Sequence, residues 1–189
     1  MKYENDTDLV GVWKSMEKMA REGKAKSIGV SNFNSEQLER ISATATVPIA
    51  VNQIECNVYF MQKRLRETMD KLGIKVMAYG PLGSPGRPAR PGAPPLPKML
   101  EDPIILNIAK SHGKSPAQVR FVATLRWKTH YSTIFLKVLI RHLLQHGFIV
   151  IPKSVKQHRI KENFDVLNFK LSDAEMQQMD ALDKGTAGR

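Results

Sequence analysis

The run Phe148-Ile149-Val150-Ile151-Pro152-Lys153-Ser154-Val155-Lys156-Gln157-His158-Arg159-Ile160-Lys161-Glu162-Asn163 sets a short β-branched strand ahead of a helix whose first turns are crowded with cations. A helix N-terminus already carries partial positive charge, so each cation there costs about 0.3–1 kcal/mol unless an anion joins it. A phosphate removes the conflict. Free backbone N–H groups at the helix start, the Ser154 hydroxyl and the cations Lys153, Lys156 and Arg159 make the donor set a phosphate needs. Arg159, Glu162 and Asn163 are spaced i, i+3, i+4, which puts a guanidinium, a carboxylate and an amide on one helix face and suits a phosphorylated nucleoside. On this segment alone, a solvated basic helix is the competing reading.

Working outward, helix and strand patterns alternate. Leu9 to Glu22 places Leu9, Val12, Trp13, Met16, Met19 and Ala20 at helical spacing and stops at Gly23. Ser27 to Ser31 reads as a short strand, and Asn34 with Gln37 as a capping box opening a helix to about Ile41. Ile49 to Ile54 and Lys75 to Tyr79 read as strands, separated by a helix from Gln62 to Leu72 that Gly73 closes. Asp102-Pro103 and Ser115-Pro116 mark two further helix starts, Phe148 to Ile151 is the fourth strand, and Ser172 with Glu175 opens a last helix.

Strands separated by whole helices cannot be hairpins, so the pattern predicts a parallel sheet of β/α units. No G-x-G-x-x-G follows a strand, which argues against a Rossmann site and leaves a β/α barrel as the leading architecture. Barrel chemistry collects at the C-terminal strand ends. Here those ends carry Ser31-Asn32, Gln53-Ile54-Glu55, Tyr79 and Lys153-Ser154.

The 189 residues suffice for one ordinary domain, and 42% hydrophobic with 25% charged is normal for a globular protein. No stretch is long and apolar enough to span a membrane and none reads as a signal peptide, so a cytoplasmic location is expected. The single Cys56 forbids an internal disulfide and a cysteine-based zinc site, and no metal ligand set is read. A net charge of +11 asks for an anionic partner. The cations are spread through every helix without a dense run or an aromatic-interleaved stripe, so a nucleic-acid-binding module is the weaker reading.

Several stretches resemble the aldo-keto reductase family. Lys26-Ser27-Ile28-Gly29-Val30-Ser31-Asn32-Phe33, with Met16 ten positions before Lys26, resembles one signature of that family. Ile151-Pro152-Lys153-Ser154 with Arg159, Glu162 and Asn163 resembles another. Between them Asn52-Gln53-Ile54-Glu55-Cys56 and Ala78-Tyr79-Gly80-Pro81-Leu82-Gly83 stand in the family's order. The resemblance implies an α/β fold, a partial (β/α)8 TIM barrel made of roughly the last four β/α units plus a preceding helix. It also implies NADP(H) as cofactor and a small aldehyde or ketone as substrate. Carried over by residue, Ser31, Asn32 and Gln53 would bind the nicotinamide carboxamide and Tyr79 would stack on its ring. Leu82 and Ser84 would lie along the pyrophosphate, Lys153, Ser154 and Arg159 would hold the 2′-phosphate with Val155 beside them, and Glu162 and Asn163 would meet the adenine end.

The pattern also departs from the family. Its chemistry resembles acid catalysis by a tyrosine helped by a lysine, an aspartate and a histidine from the first four strands, and no position of this sequence corresponds to them. No catalytic residue is therefore assigned, and little or no activity is expected of this chain alone. About fifteen residues intervene near 128–142, where Ile140-Arg141-His142 repeats the join at Leu125-Arg126-Trp127; on a helix that is about 22 Å, so the insertion is expected to loop out or displace the next strand. A proline-rich loop covers 84–98. The chain thus reads as a single incomplete reductase domain over 1–189, a truncated form whose open strand edges would self-associate. The alternative is an inactive remnant that binds NADP(H) or a protein partner.

Overall fold

The computed structural model describes residues 8–84, 99–112 and 131–188. These fall into two compact units, Met1–Ile54 with Gln62–Met77, and Glu55–Met61 with Ala78–Arg189.

The first unit begins with helix α1, Leu9–Arg21, whose N-cap Asp8 accepts the Gly11 N–H at 2.9 Å. Trp13 is buried, whereas Val12 and Met19 stay exposed. The apolar stripe read from the sequence is therefore wider than the face that α1 buries. Glu17 is buried on that face too, and four donors justify it. Its carboxylate accepts from the Thr46 N–H at 2.6 Å, the Val47 N–H at 3.0 Å, the Thr46 hydroxyl at 3.0 Å and Arg21 at 3.0 Å. The Val47 bond leads in holding its pKa below the usual value, against the opposing effect of burial.

Strand β1, Val30–Ser31, pairs parallel with β2, Val51–Glu55, in the register Val30↔Asn52 and Ser31↔Gln53. The Ala50 N–H donates to the Ile28 carbonyl at 3.0 Å just before β1. A Cβ on Gly29 would stand 2.6 Å from the Val51 carbonyl oxygen, so only glycine fits where the two backbones approach. Helix α2, Ser35–Ser42, opens with the expected capping box between Asn34 and Gln37. Helix α3, Lys63–Lys71, leads through Gly73 in a left-handed conformation into β3, Lys75–Tyr79.

In the second unit the Cys56 N–H donates to the Tyr79 carbonyl at 3.1 Å, and the Ile151 N–H to the Ala78 carbonyl at 3.1 Å. The second bond brings β4, Ile149–Val150, beside β3, and the strand order is β1-β2-β3-β4. Helix α4, Pro103–His112, starts where Asp102 accepts from the Ile104 N–H at 2.9 Å. It packs on α5, Tyr131–Gln145, and on α7, Asp173–Asp180; α6, Gln157–Phe164, lies between α5 and α7 in the chain. Ile105, Ile108, Val138, Leu139, Leu171 and Met179 form the centre of this core. Burying each such side chain stabilises by about 1.5–3 kcal/mol.

The expected strands are all present, but the first and last are shorter than the apolar runs suggested, at two residues each. Of the insertion at 128–142, residues 131–142 form most of α5. Gly147 in a left-handed conformation ends the turn after it, and β4 keeps its place beside β3 rather than being displaced. The proline-rich stretch beyond Ser84 and the helix start at Ser115-Pro116 lie outside the described residues.

Candidate functional site

In the first unit, parallel pairing brings three of the expected residues together. The Ser31 hydroxyl donates to the Gln53 main-chain carbonyl at 3.0 Å, and the Asn32 N–H donates to the same oxygen at 2.9 Å. Asn32 adopts a left-handed backbone, φ 59°, and its side-chain amide donates to the Ser31 hydroxyl at 3.2 Å. Asn tolerates that conformation better than most residues. The Ser31 and Asn32 side chains are exposed, and the half-buried Gln53 sends its amide to the Met77 sulfur at 3.2 Å. The result is a compact set of amide and hydroxyl groups at the ends of β1 and β2.

In the second unit, Tyr79 ends β3 half-buried, and the turn after it closes through the Gly83 N–H and the Gly80 carbonyl at 2.9 Å. Leu82 packs against the unit's core, and Ser84 is held at φ 51°. The cation-rich segment differs in detail from the sequence reading. Helix α6 begins only at Gln157, so Lys153 to Val155 precede it, Lys156 is its N-cap and Arg159 lies in its first turn. The N-cap makes no side-chain hydrogen bond and the first turn holds no acidic residue. Ser154 accepts the Lys156 N–H at 3.2 Å, which folds the approach to the helix.

Among the described residues, no carboxylate pairs with Lys153, Lys156 or Arg159, all of which are exposed. Val155 is exposed as well. Glu162 and Asn163 are half-buried, and the Asn163 Oδ1 is buried without a hydrogen-bond partner. A buried acceptor left unpaired costs about 1–3 kcal/mol.

Tyr59 has a different role. Its hydroxyl donates to Asp102 Oδ2 at 2.6 Å while the other oxygen of that carboxylate caps α4. Lys184 stands 4.1 Å over its ring. Burial, then the Asp102 hydrogen bond and charge, raise the Tyr59 pKa. The phenol is thereby held as a structural donor and not tuned as an acid.

One polar group in this unit was not read from the sequence. His142 and His146, one turn apart on α5, each place Nε2 2.8 Å from the same oxygen of Asp180, the last residue of α7. Burial raises the Asp180 pKa, but the two histidine hydrogen bonds outweigh it and leave the pKa lowered. The His-x-x-x-His spacing is the signal that was available; the aspartate 34 positions beyond His146 was not.

Comparison with known proteins places these features in one family. Residues 3–184 match the Aldo/keto reductase family. The chain is 40% identical over 184 residues to aldo-keto reductase family 1 member A1 of Gallus gallus, which covers 97% of this chain and 50% of that protein. It is 42% identical over 178 residues to morphine 6-dehydrogenase of Pseudomonas putida, covering 92% of this chain and 52% of that one. Among solved structures, the Bombyx mori aldo-keto reductase in complex with NADP matches with a TM-score of 0.76 at 32% identity, over 95% of this chain and 52% of that one. The aldose reductase of Schistosoma japonicum matches with a TM-score of 0.74 at 34% identity, over 96% and 49%. The chain spans about half the length of the curated relatives it matches, and its strands and helices are those of a partial (β/α)8 barrel. No described helix is long and apolar enough to cross a membrane. With motifs, strand order and overall likeness in agreement, the chain belongs to the aldo/keto reductase family.

Proposed function

We propose that this chain is an NADP(H)-binding part of an aldo-keto reductase whose whole form reduces aldehydes or ketones to alcohols, and that the 189 residues alone bind the dinucleotide with little or no turnover. The observation that carries the reading is the start of α6. A helix without a side-chain cap or an acidic first turn stands beside Lys153, Lys156 and Arg159, which lack carboxylate partners among the described residues. This donor set fits a phosphate.

In this reading Lys153, Ser154 and Arg159 hold the 2′-phosphate with Val155 alongside, and Glu162 and Asn163 take the adenine. Leu82 and Ser84 follow the pyrophosphate and Tyr79 stacks on the nicotinamide. Ser31, Asn32 and Gln53 bind the carboxamide and so fix which face of the ring is presented. When bound, the nicotinamide supplies the hydride that reduces a carbonyl. Among the described residues no group is assigned to donate a proton to that carbonyl, since Tyr59 is engaged by Asp102 and its pKa is raised.

A cytoplasmic location belongs to the same proposal, supported by a sequence whose single cysteine, the buried Cys56, cannot form an internal disulfide. So does pairing with another chain, since β1 and β4 stand at the edges of the sheet. A strictly monomeric chain in sedimentation would remove that part. The test of the main reading is NADPH fluorescence during titration with the purified chain, run beside NADPH consumption with a generic aldehyde. Binding without consumption is expected. Steady consumption would overturn the claim about the missing acid, and no binding would overturn the cofactor site.

A further inference from the structure

We propose that His142, His146 and Asp180 form a site for a borderline divalent transition metal, zinc above all, that ties the last turns of α5 to the end of α7. The two histidines lie at i and i+4 on one helix, the spacing that brings two imidazoles to a single ion. Both Nε2 atoms are 2.8 Å from Asp180 Oδ1, and the three prospective ligand atoms lie within 4.8 Å of one another. Tetrahedral zinc with bonds of about 2.1 Å needs ligand atoms about 3.4 Å apart, so each N···O contact must open by about 0.6 Å and the two nitrogens must settle at the same spacing, within the 4.8 Å that now encloses the set.

The chemistry of the set selects the ion. Two imidazole nitrogens and one carboxylate oxygen suit zinc, copper or nickel, whereas magnesium and calcium prefer oxygen alone. A neutral imidazole can exchange its ring proton between nitrogens, which leaves the Nε2 lone pair for the metal. The rings are held in place beforehand. They meet edge to face with centroids 4.8 Å apart, and Phe148 stacks on His146 at 5.7 Å. His142 is fully buried, but the His146 and Asp180 side chains keep 19% and 37% exposure, which gives an ion an entry and a water a fourth position. A net charge of +11 works against loosely held cations, so binding here must come from the ligands and not from the general field.

The experiment uses the full chain, freed of metal with a chelator and titrated with zinc chloride against a chromophoric competitor, then with cobalt chloride. A single zinc equivalent should bind with Kd below about 10 μM, and cobalt should give the intense visible absorption of a four-coordinate site. Loss of a supporting partner alone weakens metal sites about 10- to 100-fold, so His146→Gln should weaken binding by at least about 100-fold. Asp180→Asn is the second variant, and circular dichroism selects whichever is folded. Equal zinc affinity in a folded variant and the parent, or no zinc binding by the parent, would mean that the cluster is only a hydrogen-bond network and would overturn the proposal.

Discussion

The Ser31 hydroxyl donates to the Gln53 main-chain carbonyl across 3.0 Å. That carbonyl also accepts the Asn32 N–H at 2.9 Å, so removing the hydroxyl does not leave it unsatisfied. Ser31→Ala should therefore cost only about 1 kcal/mol, the net value of one hydrogen bond. Urea unfolding measures it, and a loss above about 3 kcal/mol would show that Ser31 carries more than this bond.

Gly29 is expected to be far less tolerant. A methyl group there would stand 2.6 Å from the Val51 carbonyl oxygen and 2.5 Å from its side chain. The backbone cannot withdraw as a flexible side chain could, so Gly29→Ala should destabilise by about 1–3 kcal/mol. A variant with the parent's denaturation midpoint would show that the β1–β2 approach is looser than described.

The start of α7 gives a pH-dependent expectation. Ser172 accepts the Glu175 N–H at 3.3 Å, and Glu175 accepts the Ser172 N–H at 2.8 Å and the His112 ring at 2.9 Å. Burial raises the Glu175 pKa, but these bonds prevail and lower it from 4.5 to about 2. Because the folded pKa lies below the unfolded one, the stabilisation is complete above pH 4.5 and fades as the pH falls towards about 2. Glu175→Gln should lose that slope, and acid unfolding curves that keep it would place the effect on another group. Ser172→Ala should cost about 1 kcal/mol at neutral pH through the lost cap.

What was legible in the sequence was local. Both capping boxes, the Asp102 cap and the four strands follow from spacings of a few residues, and the structure contains each. What was not legible depends on partners far along the chain. Nothing in the spacing of α1 sets Glu17 apart, yet it is buried by donors 29 and 30 positions away. Tyr59 finds Asp102 43 positions on, and no periodicity points to such a pair. The residues proposed for the cofactor rest on a family pattern, while the beginning of α6 at Gln157 was not legible, because the β-branched Val155 and the polar run after it suit several boundaries.

The most direct test of the central claim compares NADPH with NADH, since the two differ by the 2′-phosphate assigned to Lys153, Ser154 and Arg159. Fluorescence titration of the full chain should give a Kd for NADPH at least about tenfold below that for NADH, a difference of about 1.4 kcal/mol. Arg159→Ala should erase most of this gap and leave NADH binding unchanged. Equal affinity for the two dinucleotides in the parent chain, or none for either, would contradict the assignment.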